Sequence, residues 1–306
     1  MAKEIDRSEN RPLERSCHGN SAQVDGGGNR FCGGFPPDDG SNEFEKEYIH
    51  PEFDILFDRR RSALSEQVPL PLAENLQVFK TPAAVDEYSV YRLDPEEKYL
   101  FAKYYKPGDS VLDLACGLGR TTLLLHEMGL SVRGLDASEV FISTAKRRLP
   151  YLDLHVGSYD RIAESDASFS HVLISFNGID YAFPESQREV ALRECARVLK
   201  PGGTLIYSSH NIKSLHLFSP RYRYRVLWKI RNSLRAFKQR AYVLEAGLHT
   251  LYTSREFVIR QTEQVGLRFL EMVWFRMFGN ERIDRYFSPY IHYVFNKPVS
   301  PQPDRH

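Results

Sequence analysis

Between positions 110 and 208, short apolar runs alternate with longer segments whose apolar residues recur at three and four, the pattern of strands exchanging with amphipathic helices. Strands are predicted over 110–114, 131–135, 152–156, 171–176 and 204–208, and helices over 121–127, 138–148 and 185–199. Gly129 and Pro150 punctuate the ends of the first two helices, and Lys200-Pro201-Gly202-Gly203 stops the third. An earlier helix opens at Asp94-Pro95-Glu96-Glu97, with a capping acid and a first-turn proline, and runs to about Tyr105 before Pro107-Gly108. A late helix starts at a capping box, Thr253-Ser254-Arg255-Glu256, and stops at Gly266, with strands following over 267–273 and 291–295. Alternation of this kind predicts an α/β fold with a doubly wound, mostly parallel sheet covered on both faces.

The flanks read differently. The first 45 residues are punctuated by Gly26-Gly27-Gly28, Pro36-Pro37 and Asp38-Asp39-Gly40 and hold few aliphatic residues, so a disordered tail is expected over 1–45. Positions 46–92 regain aromatics and leucines, among them Phe53, Leu56 and Phe57, without a period of two, and read as a helical cap region beside the core domain of 93–298. A short tail, 299–306, closes the chain.

The most informative stretch is Val111 to Thr122, where a hydrophobic strand runs into a glycine turn and then a helix, a geometry that holds a nucleoside ligand. Asp113, an acid within the strand, would repel a pyrophosphate set against the helix start, but suits a ligand carrying an ammonium group, such as S-adenosylmethionine. The dinucleotide pattern also fails, because Gly117-Leu118-Gly119-Arg120-Thr121-Thr122 lacks its third glycine, which leaves NAD a minor alternative. Asp113-Leu114-Ala115-Cys116-Gly117-Leu118-Gly119 resembles the glycine-rich signature of the class I S-adenosylmethionine-dependent methyltransferases, with Ala115 in place of the first glycine. The resemblance covers about 93–298 and implies a seven-stranded, Rossmann-like sheet whose last strand runs antiparallel, with S-adenosyl-L-methionine as cofactor.

Further residues are expected at the ligand. Asp136 ends the second strand seventeen positions beyond Gly119, close to the spacing at which an acid accepts both ribose hydroxyl protons, and Ala137 leaves room for adenine. After the third strand, Gly157-Ser158-Tyr159-Asp160 stands where the resembling family often carries an acid meeting the adenine amine, and Ser158, Tyr159 and Asp160 all remain candidates. Phe176-Asn177-Gly178-Ile179-Asp180-Tyr181 should border the reacting methyl, with Phe176 or Asn177 at the methionine portion and Asp180 and Tyr181 toward the acceptor. Tyr88 and Tyr91 stand where related proteins often cover the ligand. His210, after the fifth strand, is the candidate general base, and Tyr181 or Asp180 could serve instead.

Composition bounds the partners. A formal charge of +1 carries no nucleic-acid signature, so any electrostatic partner must be read from a local patch. Such a patch lies between Lys213 and Arg240, a segment without an acid; Leu227, Ile230, Leu234 and Phe237 give it the spacing of a basic amphipathic helix. It can be a lid, grip an acidic or phosphorylated substrate, rest on an anionic membrane surface, or track RNA with Tyr222, Tyr224 and Trp228. No apolar run approaches a membrane span and the start lacks the apolar core of a secretory signal, so a cytoplasmic protein is expected. Cys17, Cys32, Cys116 and Cys195 show no metal-ligand or disulfide spacing and are read as free thiols, with Cys116 packed beneath the ligand. Together these features predict a transferase moving a methyl group to oxygen or nitrogen of a small or lipid-linked metabolite. The alternatives are an RNA methyltransferase using the basic insertion and a non-catalytic S-adenosylmethionine-binding protein.

Overall fold

A computed structural model describes residues 72–89, 92–215, 238–245, 248–276 and 279–299, all within one compact unit spanning Pro51–His306. The expected N-terminal tail, most of the cap region, Tyr91, Cys17, Cys32 and positions 216–237 of the basic segment lie outside the described residues.

Two short helices, α1 (Leu72–Val78) and α2 (Pro82–Tyr88), precede α3 (Pro95–Tyr104). The chain then alternates through β1 (Ser110–Leu114), α4 (Arg120–Glu127), β2 (Ser131–Asp136), α5 (Glu139–Arg148), β3 (Asp153–Val156), β4 (Phe169–Ile174), α6 (Glu185–Val198) and β5 (Leu199–Asn211). It continues with β6 (Arg240–Glu245), β7 (Leu248–Thr253), α7 (Arg255–Glu263), β8 (Arg268–Trp274), α8 (Glu281–Phe287) and β9 (Tyr290–Asn296).

Strands β3, β2, β1, β4 and β5 lie side by side and parallel; β9 adds antiparallel to β5, and β8 antiparallel to β9. These are the seven strands expected, and the last is antiparallel as the resemblance implied. Two further strands form an antiparallel hairpin, β6–β7, that the sequence reading did not anticipate. His210 pairs with Tyr290 of β9 and with Tyr252 of β7, one on each edge of β5. Since β4 pairs with β5 only as far as Tyr207, β7 takes over the edge that β4 vacates.

Alternation along the strands sorts side chains between two cores. Leu112, Leu114, Ile174, Leu205, Tyr207 and Phe295 meet Leu192, Cys195 and Val198 of α6 and Val258 of α7. On the other face Val111, Leu173, Ile206 and Val294 meet Leu100 and Phe101 of α3 and Leu125 of α4, so the sheet is covered on both sides. Local signals place the helix starts: Pro95 follows Asp94, whose backbone N–H donates to Glu97 Oε2 at 2.9 Å, and Ser138 Oγ accepts from Phe141 N at 3.2 Å. The cap of α7 is Ser254, which accepts from Phe257 N, whereas Thr253 belongs to β7. Pairing of Leu199 with Phe169 and of Thr204 with His171 leaves Lys200–Gly203 as a bulged turn inside β5, so the strand starts five residues earlier than read from the sequence.

Candidate active site

The carboxyl ends of β1, β2, β3 and β4 converge on a cleft roofed by α1 and α2. Its floor is the turn after β1. Ala115, Gly117 and Gly119 all have positive φ, at 55°, 57° and 84°, and the turn closes through Gly119 N donating to Cys116 O at 2.9 Å. An alanine in the left-handed region carries about 1–2 kcal/mol of strain, the physical reason a glycine is usual at this position in the resembling family. Gly117, Cys116, Ala115, Leu118 and Thr121 line the cleft. Gly119 does not; a Cβ there would point at Leu149, Leu152 and Leu154, so this glycine turns the chain and packs the loop onto α5 and β3.

Asp136 borders the cleft with each oxygen held by one backbone donor: Gly117 N reaches Oδ2 at 2.9 Å and Ser138 N reaches Oδ1 at 2.8 Å. Burial raises its pKa, opposed by those two N–H groups. Each oxygen keeps a lone pair for a second donor. Ala137, Ser158 and Tyr159 stand beside it along the wall, with Gly157.

Asp113 occupies a different place from the one its chemistry suggested. It is fully buried on the α3–α4 face, where Oδ2 accepts from Thr121 Oγ1 at 2.7 Å and Thr122 Oγ1 at 2.6 Å. It therefore staples β1 to the first turn of α4 and supports the turn from behind. Desolvation lifts its pKa to about 6, against the two threonine hydrogen bonds.

A group missed from the sequence completes the floor. Arg120 lines the cleft; its Nη1 and Nη2 meet Glu97 Oε2 and Oε1 at 2.6 and 2.8 Å, while Nη2 also donates to Ser175 Oγ at 2.7 Å. Ser175 Oγ in turn donates to Glu97 Oε1. Glu97 is buried, yet its pKa is lowered, because the Arg120 guanidinium outweighs desolvation. Asp94, Glu97 and His292 bring potential ligating atoms within 4.8 Å of one another, but both Glu97 oxygens are engaged by Arg120, so a cation already compensates this cluster.

The loop after β4 divides. Phe176, Gly178 and Tyr181 face the cleft, whereas Asn177, Asp180 and His210 are not among its lining residues. Asn177 is left-handed at φ 58° and donates its backbone N–H to Ser208 Oγ at 2.7 Å. Asp180 is fully buried against Arg188, with Nη1 to Oδ1 at 2.5 Å, and accepts from Ser209 Oγ at 2.7 Å. Its other oxygen accepts from the His210 backbone N–H at 2.6 Å and contacts His210 Nδ1 at 2.9 Å. His210 sits behind Tyr181, ring centroids 6.4 Å apart. Cys116 lines the cleft as a buried thiol whose pKa burial raises well above normal, in keeping with a packing role.

The roof is aromatic. Phe79 contacts Tyr88, Phe141 and Tyr181 at centroid distances of 5.8, 6.1 and 5.3 Å. It is fixed at both ends: Ser138 Oγ donates to Phe79 O at 2.8 Å, and Asn75 Nδ2 donates to Tyr181 O and His249 O at 3.0 and 3.1 Å. Beyond the roof, Phe183 stacks on His249 of the β6–β7 hairpin and meets its Tyr242 edge-on.

A family profile described as a methyltransferase domain matches residues 111–203, from β1 into β5 and across the turn and Asp136 described above. Over residues 111–203 the chain is thus similar to a methyltransferase domain. The chain is 38% identical over 100 residues to a demethylmenaquinone methyltransferase of Renibacterium salmoninarum, covering 33% of this chain and 40% of that protein. It is 32% identical over 105 residues to the putative methyltransferase YqeM of Bacillus subtilis, covering 33% and 42%. The chain thus spans about two fifths of the length of these curated relatives. Among solved structures, the fold matches the CcbJ methyltransferase of Streptomyces caelestis with TM-score 0.53 at 18% identity, covering 72% of this chain and 98% of that one. It matches the 1,6-didemethyltoxoflavin-N1-methyltransferase of Burkholderia thailandensis with TM-score 0.54 at 12% identity, covering 77% and 94%. The cofactor of the methyltransferase domain is S-adenosylmethionine. No helix among the described residues is long and apolar enough to cross a membrane.

Proposed function

We propose that the chain transfers the methyl group of S-adenosylmethionine to an oxygen or nitrogen atom of a small or lipid-linked acceptor. The observation that carries this reading is the charge of the cleft. Among the described lining residues only Asp136 and Arg120 are charged, and Arg120 is neutralised by Glu97. A pyrophosphate would meet no uncompensated cation there, whereas a ribose diol matches the two free lone pairs of Asp136. The cofactor supplies an activated methyl group, so the protein's tasks are alignment, exclusion of water and removal of one proton.

His210 is the group we assign to that proton. The buried Asp180 carboxylate, itself held by Arg188 and Ser209, accepts from Nδ1–H and leaves Nε2 as the base. With S-adenosylmethionine bound, its methyl group would pass to the acceptor's oxygen or nitrogen, leaving S-adenosylhomocysteine, while the acceptor's proton would go to Nε2 by way of Tyr181, the cleft-lining ring in front of His210. Tyr181 separates His210 from the cleft and faces the acceptor. Asp180, being buried, acts as a positioning residue. The demethylmenaquinone methyltransferases among the relatives support a small or lipid-linked acceptor. Turnover of methyl-labelled cofactor against a metabolite extract tests the reading: labelled product is expected from the full chain, with a loss of about 10²–10⁴ in His210→Gln. Cofactor binding without any labelled product would identify a non-catalytic binding protein.

A further inference from the structure

We infer that the acceptor is a planar, uncharged aromatic molecule held face-on by the rings of the roof, an assignment that rests on the methyltransferase reading above. Once Asp136, Arg120, the turn of 115–121 and the wall of Ala137 and Gly157 to Tyr159 are given to the cofactor, the apolar side chains that remain in the described lining are Leu76, Phe79, Tyr88, Phe141, Phe176 and Tyr181, beside Asn75, Ser175 and Gly178. Five of these six are rings, and they form an unbroken series. Tyr88 meets Phe141 at 5.6 Å and Phe176 at 6.0 Å, and Phe79 joins Tyr88 and Phe141 to Tyr181. Their mutual angles run from 46° to 79°, so the rings present a mixture of edges and faces, the surface that stacks and edge-packs a flat π-system.

Polarity points the same way. The amide at the end of this wall is spent, since Asn75 Nδ2 donates to two carbonyls and Oδ1 accepts from His249 N at 2.8 Å. No cation among the described lining residues remains to compensate a phosphate or carboxylate, so an acidic acceptor would be desolvated without a partner. A flat neutral ring bearing the hydroxyl or amine to be methylated meets neither penalty.

The experiment uses the full chain saturated with S-adenosylhomocysteine and three probes: 1-naphthol, its saturated counterpart decahydro-1-naphthol, and 1-naphthoate. Titration calorimetry is expected to show 1-naphthol binding at least tenfold tighter than either other probe. Phe79→Leu and Tyr88→Leu, which keep apolar bulk and lose the π-face, should each bring the naphthol-to-decahydronaphthol ratio toward one, and Phe79→Leu should leave S-adenosylhomocysteine affinity within about twofold. Equal binding of the flat and saturated alcohols, preference for the carboxylate, or no naphthol binding to protein that holds S-adenosylhomocysteine would overturn the aromatic acceptor alone. If the Leu variants instead weaken S-adenosylmethionine but not S-adenosylhomocysteine, the rings serve the sulfonium charge and the inference fails. Failure of the wild-type chain to bind S-adenosylhomocysteine at all would overturn both it and the methyltransferase reading.

Discussion

Replacing Asp136 by Asn tests the cofactor site at its most constrained point. The substitution changes one atom, but the environment is intolerant of it: Oδ1 faces Ser138 N–H and Oδ2 faces Gly117 N–H, both within 2.9 Å. Whichever way the amide turns, its NH2 meets a backbone donor, so one hydrogen bond is lost and the turn of 115–119 shifts. The ribose also loses an ionic acceptor. Hydrogen bonds to a charged group are each worth about 1.5–3 kcal/mol, and an amide oxygen retains part of one of them. The net cost is about 2–3 kcal/mol, or a rise in Kd of roughly 30- to 150-fold. Isothermal titration with S-adenosylhomocysteine measures it, with a thermal melt of the unliganded variant to separate binding from folding. A Kd within twofold of wild type in a variant of unchanged Tm would refute the role assigned to Asp136.

Three further outcomes are expected. His292 is buried among Glu97, Arg120, Asp94 and Tyr290, and desolvation depresses its pKa to about 4 from 6.5, so its contribution to stability is full above pH 6.5 and lost as pH falls through 4. Asp94, raised to about 7 by burial and Glu97, runs the other way, so the measurement is a difference: in urea unfolding the wild type should lose about 3 kcal/mol more than His292→Gln between pH 7 and 4. Parallel pH profiles would dismiss the buried imidazole as an acid-sensitive group. Arg188→Met leaves the Asp180 carboxylate buried without its cation and should cost about 3–5 kcal/mol by urea unfolding, a loss below 1 kcal/mol being the contrary result. Gly134→Ala sets a Cβ 2.6 Å from Leu154 Cδ2 and 3.0 Å from Cys116 Sγ; about 1–3 kcal/mol of destabilisation is expected, and an unchanged Tm would mean that the sheet yields freely there.

The sheet was legible because every strand that builds the cleft is bounded by its own punctuation and carries its own apolar run. The β6–β7 hairpin was not legible because 240–253 lacks a period of two: Ala241-Tyr242-Val243-Leu244 is a continuous apolar run, and only Ala246-Gly247 between two runs rich in Tyr, Val, Leu and Thr hints at a hairpin. At the site, Gly117, Asp136, Ala137 and Phe176, expected at the ligand from their spacing, all line the cleft. Asp113 lies within β1 on the α3–α4 side, where Thr121 and Thr122 enclose its carboxyl, and the cleft is reached only beyond the strand's end at Leu114; the residue type alone did not carry that distinction. Glu97 was read as a first-turn acid, and its partner lies 23 positions away. One signal was available: Arg120 opens a helix, where the dipole disfavours a cation, so an arginine there demands an acid from elsewhere in the fold.

Ala115 and Gly178 share a single methyl-sized space above the turn. A Cβ built on Gly178 would lie 2.9 Å from the Ala115 Cβ and 3.3 Å from Ile174 Cγ2, while Ala115 itself holds a left-handed φ. The two positions are therefore coupled: alanine at 178 clashes with the Ala115 methyl and is better tolerated once 115 is glycine, so the order of the two substitutions matters. Along either route the methyl group left behind stands against the cleft, so drift between these two residues reshapes the ligand chamber without touching a charged group.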